Sequence, residues 1–171
     1  MPGVVLFFVA LMVMVVESVA LGAFSIQMWA LQTPLMIAIY LGLEREFVSG
    51  GLILVALMLP VEWLVGGVYG LYSIALAVIY LSMRPLRPNL QTDWGLVRGA
   101  VAAAAAVLHG AVMLVALFLI GEGGTSLSAT VAVQMWWAVP VVAIGTVGLG
   151  KAFARLDGMM DPRKSRSDLE F

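Results

Sequence analysis

Residues 47–83 read FVSGGLILVALMLPVEWLVGGVYGLYSIALAVIYLSM. Two apolar segments of membrane-spanning length abut here, with Pro60 and Glu62 inside the first and Gly66, Gly67 and Gly70 at the join. A carboxylate within an apolar segment is expensive to bury and needs a partner or a purpose. Glycines at the junction let the chain turn sharply and let two helix backbones approach closely. The stretch reads as a hairpin of two transmembrane helices.

Composition carries that reading to the whole chain. Of 171 residues, 63% are hydrophobic and 11% charged, and the mean hydropathy is +1.06. A soluble domain carries about 25% charged residues, so this chain cannot cover a globule with polar surface. The apolar runs are continuous rather than alternating, which predicts helices instead of a barrel. At about 20 residues per span, the length allows about six spans with short connections. The fold class expected is therefore all-α, a polytopic membrane protein of six transmembrane helices. Net charge is −1 with no basic domain, which argues against nucleic acid as a partner. With no cysteine and only His109 as histidine, disulfides, thiolate chemistry and ordinary zinc spacings are excluded.

Working outward, the first span is expected over about residues 4–21. It lacks a basic leader, its apolar core is longer than a signal peptide's, and Glu17 replaces a small-residue cleavage pattern, so a retained helix is predicted. The second ends at Leu43, and its start is either near Ala23, through Gln27, Gln32 and Pro34, or near Thr33. The hairpin supplies spans at 47–66 and 67–83. A Pro- and Arg-rich loop follows at 84–95, then spans at about 96–120, with an alanine run at 102–106, and 129–150. The residues after the last span, from Lys151, are expected to begin helical and to fray beyond Gly158, so the transmembrane domain is 1–156 and 157–171 is a cytoplasmic tail. Six spans place all nine Lys and Arg of the chain on the side of the two termini, leaving Glu122 on the other. By the positive-inside rule both termini are cytoplasmic. Trp29, Trp63, Trp136 and Trp137 fall in the outer half and read as interface anchors.

Glu17, Glu62 and His109 are the ionisable residues within spans. Each lies roughly 13 to 15 residues in from its expected cytoplasmic end, a depth of about 20 Å at 1.5 Å per residue. Gln134, entering from the other side, reaches a similar level. This intramembrane polar cluster reads either as interhelical hydrogen bonding or as a pocket for a small ligand or proton, with the structural role favoured because polar groups act as glue between membrane helices. Pro60 removes a backbone hydrogen bond and should kink or locally open its span. Gly145, Gly148 and Gly150, with Ala143 and Ala152, give the last span a small-residue face suited to close packing. The mixed charges of the tail read as headgroup contact and solubility, or as a docking peptide. No serine–lysine, Gly-x-Ser-x-Gly, HExxH or paired-carboxylate arrangement suggests an active site, so an enzyme is the least favoured class.

The hairpin and its approach resemble MreD, the small membrane subunit of the bacterial rod-shape, or elongasome, system. The residues that carry the resemblance are LQTPLMIAIYLGL, the turn Glu44-Arg45-Glu46, the pair Gly50-Gly51, and Glu62, Gly66 and Gly70. A basic loop, two further spans, Pro140 in the last of them and a short basic tail continue the likeness. The sequence departs from the family at Glu62, where Asp is usual, at Gln32-Thr33-Pro34, and at Met58. The resemblance implies a non-catalytic scaffold in the bacterial inner membrane, without a cofactor. Its implied partners are an MreC-like single-pass protein, a RodA-like glycosyltransferase with its transpeptidase, and MreB filaments on the cytoplasmic side, together organising peptidoglycan synthesis and cell shape. It also implies a fold like the six-helix substrate-binding subunits of energy-coupling-factor transporters. A solute-binding subunit of such a transporter is therefore the rival reading.

Overall fold

Residues 33–44, TPLMIAIYLGLE, are apolar on every side, and a helix with no polar face has to be enclosed by others. In the computed structural model they form such a helix, with every residue from Thr33 to Gly42 buried. The structure describes residues 3–23, 32–65, 70–89, 95–120 and 126–160. Among them are six α-helices: α1 Gly3–Ala23, α2 Thr33–Glu44, α3 Phe47–Val65, α4 Leu71–Met83, α5 Gly95–Leu119 and α6 Ser126–Met160. A short 3-10 turn, Arg87–Asn89, follows α4. α2 packs against all five other helices and forms the axis of the bundle.

The remaining helices each bury one narrow stripe. In α1 the buried residues are Leu6, Ala10, Met14 and Ser18, one every fourth position, while Val4, Phe8, Met12, Val16 and Val19 point outward. An apolar exterior of this extent is incompatible with water and suits lipid. α1, α3, α5 and the Trp136–Phe153 portion of α6 are long and apolar enough to cross a membrane. The chain is a helical membrane protein.

α2 and α4 are different. They have 12 and 13 residues, about 18–20 Å of helix, well short of a hydrocarbon core of about 30 Å. Of the two starts expected for the second span the structure has the one near Thr33, and the span expected at 67–83 is a short helix starting at Leu71. Residues 24–31 and 66–69, including Gly66 and Gly67 of the hairpin join, lie outside the described residues, as do Trp29, Trp94 and residues 161–171. α6 continues past the span expected at 129–150 into the residues from Lys151, which are expected to begin helical. Nothing in Lys151–Met160 breaks a helix, and Pro162 lies just past its end.

Glycines and alanines set the closest approaches. A Cβ on Gly42 of α2 would lie 2.7 Å from Met83 Cβ of α4 and 3.2 Å from the Tyr80 carbonyl. Gly50 of α3 lies against the Tyr80 hydroxyl and the Leu41 carbonyl. Ala102, Ala105 and Ala106 form the buried face of α5, and Gly99 of α5 approaches Ala143 and Val147 of α6. Met36 of α2 meets Gly145 of α6, and Tyr40 meets Phe153 with ring centroids 4.9 Å apart. Those pairings run α2 parallel to α6.

Candidate functional site

Short helices that begin inside an apolar bundle leave their first N–H groups without partners, since no water is there to accept them. α2 and α4 both have this problem, and in both the preceding long helix solves it with a carboxylate. At the start of α2 neither Gln32 nor any nearby side chain caps the helix. Instead the Gln32 N–H donates to Glu17 Oε1 at 2.9 Å and the Thr33 N–H to Glu17 Oε2 at 3.0 Å, so both oxygens of this α1 residue are engaged. At the start of α4 the Ser73 N–H donates to Glu62 Oε1 of α3 at 2.7 Å. Glu62 is buried and Glu17 half-buried. Each carboxyl group faces the N-terminal, positive end of a helix dipole.

Gly70 sets the entry to α4. Its φ of +87° lies in the left-handed region, where a side chain costs about 1–2 kcal/mol. The helix opens directly after it, bringing Ser73 three residues on to Glu62. Pro60 lies two residues before Glu62 in α3, which continues through it as helix. What distinguishes the site is the cap two residues later, at Glu62.

Tyr72 lies between the two caps. Its ring is buried, and the adjacent Ser73 is the residue through which Glu62 meets the first N–H groups of α4. Its ring also meets that of His109 from α5 edge to face, with centroids 5.1 Å apart. The His109 ring is half-buried, and its Nε2 is enclosed with no hydrogen-bond partner among the described residues. Of the three residues matched in depth by sequence, His109 meets Tyr72 and Glu62 meets the adjacent Ser73, while Glu17 caps α2. Sequence reasoning missed Tyr72. The available clue was a phenol inside an apolar run two residues after Gly70, because a buried tyrosine hydroxyl usually has a polar neighbour. Gln134 belongs to α6, but its side chain lies outside the described ones. No group of three His, Asp or Glu side chains capable of holding a metal occurs among the described residues.

The small-residue face of α6 divides. Gly145 is pressed against the end of the Met36 side chain, whereas Gly148 has open space beside it and Ala152 is exposed. The inward line of α6 is instead Val142, Gly145, Leu149 and Phe153. Gly51, also singled out in the hairpin, lies 3.7 Å from the Tyr80 hydroxyl when given a Cβ, an ordinary contact.

No protein-family model matches the chain, and no curated protein or solved structure matches it either.

Proposed function

We propose that this protein is a non-catalytic scaffold subunit of a bacterial cell-elongation assembly, the role implied by its resemblance to MreD. The observation that carries the reading is the use of both intramembrane carboxylates as caps for α2 and α4. Groups committed to backbone N–H donors hold a frame together and are not available to grip a solute. The chain then crosses the bacterial inner membrane six times, with both termini cytoplasmic. α2 and α4 contribute the cytoplasmic-side portions of their crossings, in the manner of the energy-coupling-factor substrate-binding fold. The outward apolar surfaces of α1 and α6 offer faces to an MreC-like single-pass helix. A RodA-like glycosyltransferase, its transpeptidase and MreB complete the assembly that organises peptidoglycan synthesis.

One observation favours the solute-binding alternative: the enclosed Nε2 of His109, unpartnered among the described residues, a donor or acceptor free to meet a small molecule. Purification from the native membrane in mild detergent separates the two readings, with proteomics and small-molecule mass spectrometry on one sample. Co-purification of MreC-like and RodA-like proteins is the expected result. A stoichiometric metabolite together with an ATP-binding-cassette module would replace the scaffold by a transporter subunit.

A further inference from the structure

At the end of the bundle where α2 and α4 finish and α3 begins, two arginines are held in place with most of their donors unused by the described residues. Arg84 follows the last residue of α4. Its guanidinium carbon lies 5.3 Å from the centre of the Phe47 ring and 5.0 Å from that of Tyr80, a cation–π arrangement on two rings. Its Nη2 donates to the Tyr80 hydroxyl, which in turn donates to the Phe47 carbonyl at 2.7 Å. Its Nε is enclosed with no partner among the described residues. Arg87, one turn on, donates from Nη1 to the Arg45 carbonyl at 3.1 Å. Among the described residues neither Arg84 nor Arg87 has a carboxylate at ion-pair distance. Arg98, at the start of α5, does have one: its Nη2 lies 2.8 Å from Glu44 Oε1.

The surroundings narrow the counter-ion. The apolar run of α4 ends at Met83, so both guanidiniums sit where a helix leaves hydrocarbon for headgroups. Around them Phe47, Val48, Leu81 and Leu86 are exposed apolar side chains. A soluble anion would find no use for those four residues; acyl chains would. A guanidinium presents its donors in a planar fork that fits phosphate oxygens in pairs. A cation near low dielectric without a counter-charge is costly. We infer that Arg84 and Arg87, with the apolar rim of Phe47, Val48, Leu81 and Leu86, form a binding site for the phosphate of an anionic phospholipid.

The test uses the full chain reconstituted in bilayers of equal parts phosphatidylglycerol and phosphatidylcholine. The lipids it retains on transfer to detergent are then counted by native mass spectrometry. Each basic residue near a bilayer surface favours an anionic lipid by about fivefold, so the intact protein should retain phosphatidylglycerol on the order of tenfold over phosphatidylcholine. Arg87→Gln, which removes a charge and a single hydrogen bond, should lower that ratio by about fivefold with the helical circular-dichroism spectrum unchanged. Arg84→Lys keeps the charge but loses the fork and should also lower it. A large excess of inorganic phosphate should leave the ratio intact. Equal retention of the two lipids by the native chain, an unchanged ratio in folded Arg87→Gln, or displacement of the lipid by inorganic phosphate would each overturn the assignment.

Discussion

At the scale of single residues, the two capping glutamates look alike in sequence and differ in what they must do. Glu62 receives one N–H, from Ser73. An amide oxygen can take its place, so Glu62→Gln should keep the fold with little loss of thermal stability. Glu17 receives two, one on each oxygen. Glu17→Gln sets an NH2 against a backbone N–H, and leaving a buried donor unpaired costs about 1–3 kcal/mol. Thermal unfolding in detergent should therefore show a clear drop for Glu17→Gln and almost none for Glu62→Gln. Equal drops would mean that the bonding of the Glu17 carboxylate is not what fixes α2. The depth of these residues can be counted from the ends of apolar runs. Their role cannot, because a cap is defined by where the next helix starts, and for α2 the apolar pattern leaves two starts, near Ala23 and near Thr33.

Among the helices, closeness is decided by a few missing side chains, and the same residue type serves differently a turn apart. Gly42 faces the Cβ of Met83 and the Tyr80 carbonyl, neither of which can rotate away. Gly42→Ala should push α2 and α4 apart and cost about 1–3 kcal/mol, the usual range for overpacking. Gly148→Ala enters open space, and replacing glycine inside a helix by alanine should stabilise by roughly 0.5–1 kcal/mol. Equilibrium unfolding of the two variants should move in opposite directions. A small-residue pattern is legible in the last helix. Its inward line is not, because spacing alone cannot say which residues of a stripe face a neighbour and which face lipid. α2, by contrast, advertises its central position through the absence of any polar side, and the helical, membrane-embedded class follows from composition alone.

For the molecule as a whole, the distribution of charge predicts its orientation. A reporter fused after Phe171 should be active only on the cytoplasmic side, and a reporter inserted between α5 and α6 only on the other. Activity of the terminal fusion outside would reverse the topology and, with it, the leaflet in which the arginine site lies. The asymmetry of Lys and Arg is read from the sequence, and the orientation it predicts is what these fusions test. The shortness of α4 is hidden in the sequence, whereas for α2 the sequence offers two starts, near Ala23 and near Thr33, and the helix begins at the second.

The pairing of each short helix with the long one before it bears on how the chain is made. A ribosome delivers α1 before α2 and α3 before α4. When Thr33 or Ser73 emerges, the carboxylate that will accept its N–H is already present on the preceding segment. Neither short helix reaches the roughly 20 residues that span a bilayer on their own. Each can enter the bilayer as the second half of a unit whose first half carries the acceptor. Assembly can thus proceed two helices at a time in the order of synthesis, with α2 waiting for the later helices to close around it.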